Sequence, residues 1–427
     1  MEIKQLYHLY LQHPSVKIDT RKLVSGDIFF ALKGPNFNGN HFAKQALDAG
    51  AAYAVIDEQL NYVNEKLIKT DDVLTTLQQL AKHHREQFKI PFIAITGSNG
   101  KTTTKELVHQ VLSTTYKTYT TEGNLNNHIG IPQTILKIKE DAEVAVIEMG
   151  ANHQKEIESY CRYTLPTHGL ITNCDKAHME GFGGIEGVRK GKGELFDFLR
   201  TNQGVAFVNT DDTFIKEISH GIKTVVTYGT KDAAITGKVL NSRSFLEVEI
   251  KVGHEIFNIN TQLVGEYNLL NVIAAVAIGK HFNVENEKIK MAIENYSPSN
   301  SRSQLMKQGS NTIILDAYNA NPASMKAAIE NFAAMDGDNK ILLLGSMMEL
   351  GDESEQEHQA LLQLISKHKW NNVILVGNNF KSLSHNYMHF DNADSVKHWL
   401  KKQGLQNSHL LIKGSRSIQM EKVIESL

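Results

Sequence analysis

The chain alternates short apolar runs with stretches of helical periodicity, and its rhythm changes twice. In the first segment, Asp27-Ile-Phe-Phe-Ala-Leu32 predicts a strand, His41 to Ala49 a helix and Ala52-Tyr-Ala-Val-Ile56 a second strand. Val73 to Phe88 predicts a helix that carries the chain onward. In the second segment, strands expected at Phe92–Thr96, Val144–Met149, Gly169–Thr172, Val205–Asn209 and Val225–Tyr228 alternate with helices. That order predicts a mostly parallel sheet covered on both faces. From Ala234 to Val264 the period shortens to two, as in Phe245-Leu-Glu-Val-Glu-Ile250, which predicts a small antiparallel sheet. A helix from Tyr267 to His281 follows. The third segment begins near Pro298, with strands expected at Thr312–Leu315, Lys340–Leu344, Val373–Val376 and Leu410–Ile412 between helices. The expected architecture is α/β with three domains over residues 1–82, 83–297 and 298–427. The last domain is Rossmann-like but has no G-x-G-x-x-G, so dinucleotide binding there has no support.

Composition narrows the field. A chain of 427 residues can bury several cores, and a net charge of −2 gives no electrostatic case for nucleic acid or an anionic membrane. No apolar run approaches a membrane span, and Met-Glu-Ile-Lys-Gln-Leu-Tyr lacks a signal-peptide core. Cys161 and Cys174 have neither metal nor disulfide spacing and are expected to be reduced thiols of a cytoplasmic protein.

The chemistry starts at Thr96-Gly97-Ser98-Asn99-Gly100-Lys101-Thr102-Thr103, directly after Phe92-Ile-Ala-Ile95. A buried strand runs into a glycine-rich turn, and a Lys-Thr pair opens a helix. Backbone N–H groups, a lysine and a helix N-terminus then converge on one spot, which suits a polyphosphate. Lys101 is placed for the β- and γ-phosphates, and the Thr102 hydroxyl for Mg²⁺. The loop is shorter by two residues than the common G-x-x-x-x-G-K-[ST], which would put glycine where Ile95 stands.

Other polar residues stand just past apolar runs. Glu148 ends Val144–Met149, and ligands of open α/β sheets bind beyond the carboxyl ends of strands. It reads either as a Mg²⁺ ligand or as a surface strand-end carboxylate. His178, in Asn173-Cys-Asp-Lys-Ala-His178-Met-Glu-Gly-Phe-Gly-Gly184, could reach the same face or be a solvated histidine. Lys192, in Gly191-Lys-Gly-Glu194, reads on its own as a solvated helix lysine. Gly123-Asn-Leu-Asn-Asn127-His-Ile-Gly130 and Asp316-Ala-Tyr-Asn319-Ala-Asn321-Pro322 are polar without a propensity reason. Asn321-Pro322 can be a helix cap and first helical residue, which leaves Asp316, Tyr318 and Asn319 unexplained.

Taken together, the chain resembles the Mur ligase family, specifically the branch that joins D-alanyl-D-alanine to UDP-N-acetylmuramoyl-tripeptide. The resemblance covers nearly the whole chain. It rests on Asp19-Thr20-Arg21, Gly26–Gly34, Thr96–Thr103, Gly123–Gly130, Glu148–His153, His178–Gly183, Lys192–Glu194, Gly265–Asn271, Asp316–Pro322, Leu344–Gly351 and Lys413-Gly-Ser415-Arg416. The short loop at Gly97–Thr102 is the family's own form. By resemblance, ATP phosphates are held by Lys101 and by the loop Gly97, Ser98, Asn99, Gly100, Thr102 and Thr103. Thr102 and Glu148 would hold one Mg²⁺, and Glu148, His178 and Lys192 a second. Lys192 would be carbamylated, and a carbamate offers the oxygen donors that Mg²⁺ prefers. Lys101, Glu148, His178 and Lys192 form the implied catalytic set. Asn268 and Asn271 fall in the block that holds adenine, and Arg302 and Asp316 face the nucleotide. Asp19, Thr20 and Arg21 lie in the domain that takes up the UDP end. Asn126, Asn127, Asn319, Asn321, Ser415 and Arg416 complete the substrate side. The implied protein is an ADP-forming ligase, monomeric, without nucleic-acid partner or membrane insertion. Its nearest alternatives are another Mur-type ligase or a folylpolyglutamate-type ligase, and from another class a nucleotide-binding regulatory or assembly protein.

Overall fold

A computed structural model describes residues 1–299 and 301–427. Its centre is a nine-stranded sheet in which Phe92–Thr96 lies between Val144–Glu148 and His168–Ile171. Thr118–Thr120 flanks Val144–Glu148 on one side, and Val205–Asn209 and Thr224–Gly229 extend the other. All these pairings are parallel, as the alternation of strands and helices predicts. Successive residues of Phe92–Thr96 serve opposite layers. Phe92 and Ala94 enter one apolar cluster, and Ile93 and Ile95 another, so the strand is covered on both faces.

The period-two segment forms Ile235–Asn241, Glu247–Val252 and Glu255–Asn260, paired antiparallel. It continues the main sheet, because Tyr228 pairs in parallel with Ile235 and Gly229 with Thr236. The helix Leu269–His281 then covers this side, with Val272 to Ile278 fully buried.

The N-terminal segment carries a four-stranded parallel sheet that includes Ile28–Phe30, Tyr53–Ile56 and Leu67–Lys69. The C-terminal segment carries a six-stranded sheet. Asn311–Asp316, His409–Lys413, Lys340–Gly345, Asn372–Val376 and Met388–Phe390 are parallel, and Gln304–Gln308 adds an antiparallel edge. Of these, Gln304–Gln308, Met388–Phe390, Leu67–Lys69 and Thr118–Thr120 were not expected from the sequence. Each is short, and its pairing to a neighbour rather than its own apolar pattern makes it a strand. Among the described residues, no helix is long and apolar enough to cross a membrane.

Candidate active site

From Phe92–Thr96 the chain crosses to Thr118–Thr120, returns to Val144–Glu148, and then passes to His168–Ile171 on the far side. This reversal brings three strand ends together, and with them the loop 97–100, Glu148 and the segment 173–178. Gly97 (φ +139°) and Gly100 (φ +79°) hold left-handed conformations that favour glycine. A Cβ on Gly97 would sit 2.0 Å from the Thr172 hydroxyl, and one on Gly100 would sit 2.6 Å from Asn271 Oδ1. The loop is fixed from the next strand. Ser98 N–H donates to Asn173 O (2.9 Å), Asn99 N–H to Asn173 Oδ1 (2.9 Å), and Thr172 Oγ1 to Asn99 O (2.6 Å).

The helix Lys101–Ser113 begins at the loop. Lys101 Nζ folds back on Gly97 O (2.6 Å) and Ser98 O (3.0 Å). Desolvation pulls its pKa down to about 8, against the attraction of Glu148 and with the repulsion of Arg302. Thr102 Oγ1 donates to Glu148 Oε1 (3.1 Å), and Asn126 Nδ2 donates to the same oxygen (2.7 Å). Glu148 is 1 % exposed, and its Oε2 is buried without a partner among the described residues. A surface carboxylate is thereby excluded. An orphaned carboxylate oxygen beside a hydroxyl fits a hard, oxygen-seeking cation such as Mg²⁺.

Lys192 is also not the solvated lysine its local sequence suggests. It is 1 % exposed, lies 4.9 Å from the Phe182 ring centroid, and donates to Ala151 O (3.0 Å). Burial pulls its pKa down to about 7, with repulsion from Lys101 next. An amine in that range is substantially neutral near neutral pH, the form that reacts with carbon dioxide. His178 lies on the same cleft, but its Nδ1 bonds to Glu349 of the C-terminal segment, and not to Glu148 or Lys192. Hydrogen bonding to His178 holds Glu349 below the usual carboxylate range.

The cleft has a volume of about 580 Å³ and is lined from the central and C-terminal segments. Asn268 and Asn271 are buried and joined, Asn271 Nδ2 donating to Asn268 Oδ1 (2.8 Å), and Thr104 Oγ1 donates to Asn271 Oδ1 (3.0 Å). Arg302 stacks 3.7 Å over the Tyr318 ring, and its buried Nε has no partner among the described residues. Asp316 accepts from Ser303 N–H (3.0 Å) and from Lys413 Nζ (2.5 Å). Asn319 is exposed on the cleft. Asn321 caps the helix Pro322–Ala334, as its sequence predicts, and also reaches the phosphate loop, its Nδ2 donating to Asn99 Oδ1 (2.7 Å). Asn126, Asn127 and Arg416 line the cleft too, whereas Ser415 is buried and braces backbone, accepting from Met348 N–H (3.0 Å). Asp19, Thr20 and Arg21 lie outside the cleft. Asp19 caps the turn Thr20–Lys22, and its bonds with Arg21 hold its carboxyl down to about 2.

Two cleft residues lie in motifs that carry the family resemblance but received no role from the sequence. Lys413 is a buried charge ending the apolar run Leu410–Ile412, the same signal that marked Glu148. Glu349 sits in a loop with a left-handed backbone, and nothing local announces its partner across the cleft.

Three family models match the chain: "Mur ligase family, catalytic domain" over residues 14–85, "Mur ligase middle domain" over 95–279, and "Mur ligase, glutamate ligase domain" over 301–416. The chain is 35% identical over 425 residues to the UDP-N-acetylmuramoyl-tripeptide–D-alanyl-D-alanine ligase of Bacillus subtilis, covering 96% of this chain and 92% of the relative. Identity to the Escherichia coli enzyme of the same name is 34% over 432 residues, covering 97% and 93%. A crystal structure of MurF from Acinetobacter baumannii superposes with a TM-score of 0.88 at 30% identity, covering 96% and 92%. Matched along nearly its whole length and in all three segments, the chain belongs to the Mur ligase family.

Proposed function

We propose that this protein is an ATP-dependent, ADP-forming ligase that joins D-alanyl-D-alanine to UDP-N-acetylmuramoyl-tripeptide in the cytoplasm, during synthesis of peptidoglycan precursors. The observation that carries this reading is one cleft in which the phosphate loop, the orphaned Glu148 oxygen and Arg302, Asp316, Asn319 and Asn321 face each other. The full-length likeness to ligases named for this reaction supports the choice of substrates.

The terminal carboxylate of the tripeptide attacks the γ-phosphorus of ATP, giving an acyl phosphate and ADP. The amine of D-alanyl-D-alanine then displaces phosphate and forms the amide. The chain's work is positioning and charge neutralisation. Loop N–H groups, the start of the helix Lys101–Ser113 and Lys101 hold the phosphates. Asn268 and Asn271 receive the adenine, with Arg302 and Asp316 on its other side. Thr102 and Glu148 would hold one Mg²⁺, and Glu148, His178 and Lys192 a second, with Lys192 carbamylated. Bound there, Mg²⁺ shields phosphate charge. Asn319 and Asn321 take the dipeptide, while Asp19, Thr20 and Arg21 serve the UDP end. His178 is held through Nδ1 by Glu349 of the C-terminal segment, which leaves Nε2 for a metal, an arrangement in which a carboxylate orients a ligating imidazole. Closure of that segment excludes water from the hydrolysable acyl phosphate. The protein acts as a monomer, with domain limits near residues 82 and 297.

A substrate panel read by ADP release tests this. Release should need Mg²⁺ and both UDP-N-acetylmuramoyl-tripeptide and D-alanyl-D-alanine. Equal turnover with a folate and glutamate, or with a shorter muramoyl peptide and a single amino acid, would move the protein to another branch of the family. No turnover with any pair would leave a nucleotide-binding protein.

A further inference from the structure

Lys105 lies one turn beyond the phosphate loop and is 0% exposed. A lysine on a helix is normally solvated, and an ammonium is expensive to bury. This one donates to Thr121 O (2.5 Å) and to Glu106 Oε1 (2.6 Å). Thr121 is itself fully buried, and its Oγ1 accepts the N–H of Glu148 (3.0 Å). The segment that follows Thr121 returns to the same carboxylate, where Asn126 Nδ2 donates to Glu148 Oε1 (2.7 Å) and Asn126 O accepts from Gly150 N–H (2.7 Å). Glu148 is therefore gripped at its backbone and at its carboxylate by the two ends of residues 121–126.

Thr102 and Lys105 are three residues apart and so share one face of the helix Lys101–Ser113. Thr102 bonds the Glu148 carboxylate from the front, and Lys105 holds the start of the 121–126 segment from behind. An apolar residue could fill the space of the Lys105 stem but could not bond a carbonyl.

We propose that Lys105 is a positioning residue for the Glu148 metal site, acting through Thr121, so that the helix that begins at the phosphate loop also sets where the carboxylate oxygen points. The inference rests on the metal role given above to Thr102 and Glu148, but not on the identity of the carboxylate or amine substrates.

The test is Mn²⁺ binding to the full-length enzyme–ADP complex, followed by electron paramagnetic resonance, with ADP affinity measured separately in EDTA. Lys105→Met should weaken Mn²⁺ binding about tenfold, the scale of lost outer-shell support, and leave metal-free ADP affinity within about twofold. Thr121→Val should reproduce this loss, and Thr121→Ser, which keeps the hydroxyl, should bind Mn²⁺ like the wild type. If Lys105→Met does not fold, as judged by circular dichroism, the two Thr121 variants decide. Unchanged Mn²⁺ affinity in Lys105→Met or Thr121→Val would overturn the proposal. So would a parallel fall in metal-free ADP affinity, which would mark Lys105 as a general brace of the loop, or a loss in Thr121→Ser equal to that in Thr121→Val. Because no muramoyl substrate enters these measurements, a failed substrate panel with a positive Mn²⁺ result would reject the proposed reaction and keep the positioning role.

Discussion

The N-terminal and C-terminal segments are attached to the central sheet in opposite ways. On the N-terminal side, Leu6, Tyr10, Ile28, Phe30 and Leu77 share one apolar cluster with Phe92, Ala94, Ile135 and Leu136. Tyr10 donates its hydroxyl to Leu136 O, and the helix Val73–Arg85 that leads out of the segment is pinned at its end, where Arg85 stacks 3.7 Å over Phe92 while donating to Thr164 O (2.9 Å). Among the described residues, the C-terminal segment has two cores of its own, and of the central segment only Val264 enters one of them. Its other bonds across the seam are polar, among them Asn321 to Asn99, Tyr267 to Ser303, His178 to Glu349, Glu180 N–H to Glu349 O (3.3 Å), Asp336 N–H to Arg243 O (3.3 Å), and Lys176 to Glu353 (3.0 Å) and Glu357 (2.7 Å). Apolar burial is lost in full when two bodies separate, whereas polar pairs are replaced by water at small net cost. The first attachment makes one body of two segments. The second makes a seam that can open, and the cleft lies in it.

The largest effect should come from breaking the shared core. Leu77→Ala should destabilise by about 2–5 kcal/mol, the range for a deleted buried leucine. Hydrogen exchange followed through denaturant should show the N-terminal and central segments exposed together, with the C-terminal sheet still protected. Ile329→Ala, in the C-terminal core, should do the reverse. Exposure confined to the first segment in Leu77→Ala would mean that the two do not form one body.

At the seam, the expected loss is of function. Asn319 Oδ1 accepts the Ala320 N–H (2.9 Å), which leaves Nδ2 for the cleft. Losing one hydrogen bond to a charged ligand costs roughly 1.5–3 kcal/mol, or about ten- to a hundredfold in KM for D-alanyl-D-alanine. Asn319→Ala should show this with an unchanged melting temperature and a nearly unchanged KM for ATP. A rise in the ATP KM alone would assign the residue to the nucleotide side.

Lys176→Met should sharpen the comparison with a smaller effect. Its ion pairs are partly exposed, so their loss should change stability by no more than about 1 kcal/mol. Small-angle scattering should nonetheless register a seam that opens more readily. The radius of gyration of the unliganded variant should be larger and insensitive to salt, while that of the wild type rises with salt. Equal radii at all salt concentrations would deny the fork any part in holding the seam.

The last effect, confined to acid pH, is a pH signature in the fused body. His168 stacks on Phe207 and meets His281 at 3.2 Å, and desolvation pulls its pKa down to about 4. Between the unfolded value of about 6.5 and the folded value of about 4, the unfolded chain binds the extra proton. Stability contributed by neutral His168 is present above pH 6.5 and is lost as pH falls towards 4. His168→Phe should flatten the fall in melting temperature over this window, and an unchanged slope would show that other groups set it.

The main strands and the phosphate loop were legible because their signals are local. An apolar run bounded by turn residues, a left-handed glycine and an Asn-Pro cap need only their neighbours in sequence to be read. Residues such as Lys192 and His178 were not legible in this way. A helix lysine between glycines has the same local pattern whether it meets water or, as here, Phe182 and the Ala151 carbonyl. Only the likeness to a family singled it out; what the structure adds is a buried amine with depressed basicity.

The sequence by itself determined which apolar runs form the main strands, where the phosphate loop turns and which asparagine caps a helix, because those choices rest on interactions within a few residues. The tertiary structure alone decided that the antiparallel strands extend the main sheet through Tyr228 and Ile235. It alone decided that the first segment shares its core with the second, and that Glu148 keeps one oxygen without a partner among the described residues. An apolar pattern states that a face must be buried but not against what, and a carboxylate's partners are fixed by chain segments that meet only after folding.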